Sequence, residues 1–153
     1  MKGRVEAIHV AATAGAAMES TQEAQLVAGR GIVGDRYLAG LGEFSPVEQD
    51  PDHELSLIEI EEIESFNTRA GHSFAADRFR RNVVTRDVRL GDLVGVEFEL
   101  GGATVRGIRL CEPCRYLAGL VHDDVVKGML HRCGLRAGIV RGGSLRVGDA
   151  VET

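Results

Sequence analysis

The sequence predicts a mainly β fold, a strongly bent sheet or barrel that carries a few short helices. Three observations point there. Short runs rich in Val, Ile and Leu recur along the chain. Glycine pairs at Gly101-Gly102 and Gly142-Gly143 separate such runs as tight hairpin turns do. Only two stretches show helical spacing of apolar residues. A chain of 153 residues without repeat, low-complexity tract or internal boundary fits a single domain spanning 1–153.

The elements are expected in the following order. Residues 4–12 (RVEAIHVAA) read as an opening strand, and 24–27 leads into the bend Gly29-Arg30-Gly31-Ile32-Val33-Gly34-Asp35-Arg36-Tyr37, whose glycines admit positive φ. Residues 38–53 hold two prolines and no apolar period, which marks a long loop and a candidate flap. A short strand at 54–58 precedes a helix over 59–70, where Ile60, Ile63 and Phe66 recur every third residue and Gly71 supplies the stop. Strands follow at 82–85, 93–100 and 103–110. A second helix is expected over 123–133, ended by Gly134, and 135–140 with 145–151 reads as a closing hairpin.

Composition narrows the function. No run approaches the ~18 consecutive apolar residues that cross a bilayer, and the start at Met1 lacks the apolar core of a signal peptide, so a cytoplasmic location is expected and no membrane contact. A net charge of −5 argues against a general nucleic-acid binder, which needs a basic face. Of the basic residues, only Lys2 and Lys127 are lysines. Arginine binds carboxylates and phosphates through paired hydrogen bonds that lysine cannot make. Three cysteines, an odd number in a chain without an export signal, suggest reduced thiols rather than a disulfide framework.

Cys111-Glu112-Pro113-Cys114 directly follows a strand, and several readings of it stand open. The spacing suits a redox dithiol, although the long helix and βαβ context of such sites are missing. With His131 and Cys133 it gives C-x2-C-x16-H-x-C, a ligand set for structural zinc. Alternatively one thiol works alone beside cations such as Arg115, as a soft ligand or nucleophile, or the cysteines merely pack. In Phe79-Arg80-Arg81-Asn82-Val83, alternation along a strand would turn one arginine inward, toward a ligand or toward an internal carboxylate such as Asp35, Asp77 or Asp92. Gly34-Asp35-Arg36 and Gly148-Asp149 each read on their own as turns closed by a side-chain hydrogen bond.

Taken together these segments resemble the MOSC domain, named for the C-terminal region of molybdenum cofactor sulfurases. The motifs are G-I-V-G-D-R-Y at 31–37, S-L-I and its helix from Ser56, and F-R-R-N-V-V-T at 79–85. They continue with L-V-G-V-E-F-E-L-G at 93–101, P-C at 113–114 and G-L-R-A-G-I-V-R-G-G-S-L-R-V-G-D from Gly134. The resemblance implies a MOSC-type β-barrel and a pocket with one functional cysteine, which maps onto Cys114. In sulfurases such a domain handles the molybdenum cofactor or persulfide sulfur. In amidoxime-reducing relatives the cysteine ligates molybdenum and N-hydroxylated compounds are reduced.

By the same resemblance Arg36, Arg80 and Arg81 are expected to bind the phosphate or oxo groups of molybdopterin, Asn82 to read pterin or backbone polar groups, and Arg115 to belong to the cofactor-binding set. The pyridoxal-phosphate desulfurase portion of the sulfurases is outside the matched motifs, and neither lysine has a Schiff-base setting, so pyridoxal phosphate is not expected in this chain. Two functions follow. Either the protein is a molybdoenzyme that reduces N-hydroxylated or N-oxygenated small molecules with electrons from a transfer partner, or it is a carrier that passes persulfide sulfur from a cysteine desulfurase, or the cofactor itself, through Cys114.

Overall fold

The seam of the structure is β1 (Lys2–Val10), where Gly3, Val5 and Ile8 turn inward. The computed structural model describes residues 2–38 and 53–153; the flap expected over 38–53 therefore lies almost wholly outside the described residues. β1 pairs with β2 (Glu19–Thr21), with β6 (Val83–Arg86) and with β11 (Ala150–Glu152). Between β6 and β11 the sheet runs through β5 (Leu55–Glu59), β9 (Leu135–Arg141), β8 (Ala103–Leu110) and β7 (Glu97–Leu100), so that the β1–β11 pairing closes a barrel. All of these pairings are antiparallel except β5 with β6, which the crossover helix α1 (Ile60–Ala70) connects. β3 (Glu23–Val27), β4 (Gly31–Ile32) and β10 (Gly143–Arg146) form a small second sheet.

Two apolar clusters share the strands. Val5, Leu55, Leu57, Val83, Leu100, Val105, Leu135 and Val151 fill the barrel. On the outside, Ile58 and Val84 meet Ile63 and Phe66 of α1, Leu117 of α2 (Arg115–Leu120) and Val125 of α3 (Val125–Gly128). Alternate residues of β5 thus serve opposite clusters, which is why Leu55, Ser56, Leu57 and Ile58 are all buried. No helix among the described residues is long and apolar enough to cross a membrane.

The barrel and the helix at 60–70, stopped by Gly71 in the left-handed conformation, match the sequence expectation. Three details differ. Residues 90–93 form a tight 3-10 turn that buries Leu90 and Leu93, so β7 begins only at Glu97. The expected helix over 123–133 is confined to α3, because Gly128 lies against the Phe66 ring and His131 adopts φ +63°. The expected closing hairpin does not form: both edges of β9 are taken by β8 and β5, so β10 pairs with β3 and β11 with β1 and β7.

Gly134 locks β9 against β5. It sits at φ +111°, and a Cβ there would stand 2.0 Å from the Leu57 carbonyl oxygen. Its own carbonyl accepts the Cys111 N–H at 2.8 Å. Gly134→Ala is therefore expected to cost roughly 2–4 kcal/mol through strain and overpacking, read as a lower midpoint in chemical denaturation. His9 on β1 is buried with an unpartnered Nδ1. Burial holds its imidazole below the ordinary value, against smaller opposing effects of Asp77 and the Arg81 backbone. A base depressed in the folded state takes up its proton more readily when unfolded, so the stability linked to His9 is complete above the unfolded value near 6.5 and declines as pH falls toward the folded one. Melting scans between pH 7.5 and about 5 should show this decline, and His9→Gln should flatten it.

Candidate functional site

Strand register places a row of polar side chains on the outer face of the barrel. Arg109 of β8 pairs with Arg136 of β9, and Arg136 pairs with Ser56 of β5. In the next row, Leu110, Leu135, Leu57 and Val83 are aligned, and the last three fill the barrel. Arg109, Arg136 and Ser56 line a cavity of about 220 Å³ together with Arg36, Tyr37, His53, Arg80, Arg81, Glu112, Cys114, Tyr116 and Leu117.

Three further segments complete its lining. The first is the Gly34-Asp35-Arg36 turn. Asp35 accepts the N–H groups of Ala11 and Tyr37, and its Oδ1 lies 3.0 Å from Arg36 Nη1. The Arg36 guanidinium stacks over the Tyr37 ring at 4.8 Å. The turn foreseen at this tripeptide is present, and it also aims a cation.

The second segment is Arg80-Arg81-Asn82. Arg80 caps the 3-10 turn Ala76–Phe79 with φ +60°, a left-handed conformation costly for any residue but glycine. This break in the extended chain cancels the strand alternation, so both arginines line the cavity rather than one. Neither has a carboxylate partner among the described residues. Arg80 Nη1 donates to the Ala16 carbonyl, while its buried Nη2 has no partner among the described residues. Burial, and then the neighbouring Arg36 charge, pull its guanidinium below the ordinary value. Arg81 donates through Nε to the Cys133 carbonyl at 2.9 Å, and through Nη2 to Cys133 Sγ and the Cys111 carbonyl.

Of the two partners expected for Asn82, the structure shows the backbone groups rather than a contact facing the cavity. Its Oδ1 accepts both the N–H and the hydroxyl of Ser56, and its Nδ2 donates to the His9 carbonyl. The amide is consumed in fastening β5, β6 and β1, and Asn82 is not among the residues lining the cavity.

The third segment leaves β8 as Cys111-Glu112-Pro113-Cys114. Cys114 is half-buried and is the cysteine that lines the cavity; Cys111 and Cys133 are buried. Burial pushes the Cys133 thiol up to about 11, despite the opposing pull of Arg81, so it stays protonated at neutral pH. The zinc set C-x2-C-x16-H-x-C does not assemble among the described residues. His131 instead grips Glu112, with its N–H at 2.7 Å from Oε1 and its Nδ1 at 2.6 Å from Oε2. The helix after Cys114 is only Arg115–Leu120, unlike the long helix that a thioredoxin-like dithiol opens. Arg115 itself is exposed and lines a separate depression with Asp123 and Val126, so the structure does not bring it to the cavity.

Arg36, Arg80, Arg81 and Cys114 thus converge, whereas Asn82 and Arg115 do not. Sequence reasoning missed Tyr37, Ser56, Arg109, Glu112, Tyr116 and Arg136. Arg109 and Arg136 were recoverable only through the β8–β9 register, which no local motif reveals.

The family model of the MOSC domain matches residues 44–152. The chain belongs to the MOSC domain family. Solved structures similar to this MOSC domain include the YuaD protein from Bacillus subtilis, with a TM-score of 0.84 at 18% identity, covering 99% of this chain and 95% of that one. YiiM from Geobacillus stearothermophilus gives 0.75 at 15% identity over 98% and 74% of the two chains. YiiM from Escherichia coli gives 0.69 at 18% identity over 99% and 69%. At these identities the likeness concerns the fold. No curated protein matches the sequence significantly.

Positive charge is concentrated along the described lining of the cavity. Arg109 and Arg136 are like charges directly opposed across two strands, and Arg36 and Arg80 repel. An oxyanion is accordingly expected to stabilise the protein. Inorganic phosphate should raise the melting temperature, and Arg80→Gln should weaken that effect by roughly 1.5–3 kcal/mol of binding, the usual worth of a charge-assisted hydrogen bond. The anion-free variant should melt no earlier than the parent, because the lost guanidinium is a poorly satisfied one.

Proposed function

We propose that this MOSC domain binds the molybdenum cofactor in the arginine cavity, with Cys114 as the protein ligand of the metal, and reduces N-hydroxylated or N-oxygenated small molecules. The observation that carries the reading is the pairing of a half-buried thiol with Arg80, whose buried Nη2 finds no partner among the described residues. Molybdopterin bears a phosphate and a dithiolene-bound metal, so it calls for fixed arginines and one soft anionic ligand. The residues present fit that demand. Arg36, Arg80, Arg109 and Arg136 would hold the anionic groups and Cys114 Sγ the metal. When bound, the cofactor would supply the two-electron chemistry.

The remaining roles belong to the chain. Reducing an N–OH bond to N–H consumes two electrons and two protons and releases water, so an electron-transfer partner must supply reducing equivalents and the site must admit protons. Glu112 lines the cavity and is bonded to His131, whose ring is 70% exposed, which offers a proton route from solvent. Arg81 fixes the approach of the Cys111-to-Cys114 segment by holding the Cys111 carbonyl and Cys133 at once. Ser56 and Asn82 hold β5 and β6 in register beneath it.

Elemental and mass analysis of protein purified from a cofactor-competent host tests the proposal. Molybdenum is expected at one equivalent per chain, together with reduction of an N-hydroxylated probe such as benzamidoxime. Cys114→Ser should lose both with little change in melting temperature, since a half-buried thiol contributes little packing. Molybdenum-free protein carrying labile sulfane sulfur on Cys114 would replace this reading with that of a sulfur carrier fed by a cysteine desulfurase. Full activity of Cys114→Ser would end both.

A further inference from the structure

On the helical side of the barrel three side chains with metal-binding atoms meet away from the arginine cavity, and they share no residue with its lining. His72 follows the Gly71 stop of α1, His122 lies just beyond the end of α2, and Asp124 caps α3. Their donor atoms all lie within 4.8 Å of one another. His72 Nε2 stands 2.8 Å from Asp124 Oδ2, and His122 Nδ1 stands 3.4 Å from the same oxygen. We propose that His72, His122 and Asp124 form a binding site for a divalent transition metal of the zinc type, with water completing the coordination.

The geometry suits such an ion. Ligand atoms about 2.0–2.1 Å from a tetrahedral zinc stand roughly 3.3 Å apart. The His122 Nδ1–Asp124 Oδ2 spacing is close to this value, and that nitrogen exchanges the Asp124 N–H it accepts at 3.1 Å for the ion. The His72–Asp124 hydrogen bond needs to open by only about half an ångström when a metal takes the place of its proton. Two imidazoles and one carboxylate are the borderline nitrogen and oxygen donors that zinc, cobalt and nickel accept.

The rings are also held in place before any ion arrives. The His72 ring packs between Phe66, at 5.8 Å, and Phe74, at 4.8 Å, and its centroid lies 4.6 Å from that of His122. Packing of this kind removes the rotamer search that usually opposes binding at a surface site. An ion here would tie the end of α1 to the α2–α3 corner and so brace the short helix that begins just after Cys114.

Cobalt(II) titration of the full chain tests the site, because cobalt reports its ligands. The expected result is one equivalent bound with d–d bands and no sulfur-to-cobalt charge-transfer band, unchanged in Cys114→Ser. Zinc should displace the cobalt and raise the melting temperature. His122 and Asp124 are about half exposed, so His122→Ala and Asp124→Asn should fold normally by circular dichroism and bind cobalt at least roughly tenfold more weakly. The proposal is overturned if folded His122→Ala and Asp124→Asn bind as tightly as the parent. It is equally overturned if the parent takes up no cobalt, or if the bound cobalt shows thiolate bands that vanish in Cys114→Ser.

Discussion

Charge gathered against its own repulsion is the constraint around which the site is built. Among the described residues, Arg36, Arg80, Arg81, Arg109 and Arg136 line one cavity with one lining carboxylate, Glu112, which is bonded to His131, while Asp35 behind the lining pairs with Arg36. The chain as a whole is acidic, with a net charge of −5, so the concentration is local and must be imposed by the fold. A closed barrel imposes it. Strand register seats the backbones of Arg109 and Arg136 directly opposite each other on β8 and β9.

The same rigidity explains the backbone at Arg80. A left-handed arginine survives only where its neighbours over-determine it. Phe79 is locked in the outer apolar cluster on one side, and Asn82 is bonded to β5 and β1 on the other. Between these anchors the chain has to turn sharply, and the turn delivers two consecutive guanidinium groups to one side. Arg81 then serves as a strut for the cysteine-bearing segment, while Arg80 is left with donor capacity that no described residue uses.

Much of the architecture was legible in the residues. Hairpin glycines marked the β7–β8 turn, apolar spacing with Gly71 marked α1, and the cysteine that lines the cavity was among the candidates. What escaped was non-local. That β9 would have both edges occupied, forcing β10 onto β3, depends on pairings between residues more than a hundred positions apart, such as Leu26 with Gly143. The alternation rule failed at Arg80 because it presumes an extended chain. Asn82 looked like a ligand-reading amide and proved to be a fastener, since a side chain's donors and acceptors can be counted only once its neighbours are known. Conversely, His72, His122 and Asp124 have no motif at all. Their meeting is a product of how α1 and the α2–α3 corner dock.

Strand β1 pairs with β11, Lys2 lying opposite Glu152. The two ends of the polypeptide are thus next-door neighbours, and a short bridge between them would leave every ladder intact. Such a layout suits circular permutation across the β1–β11 seam. That seam lies far along the barrel wall from the register row that seats Arg109 and Arg136.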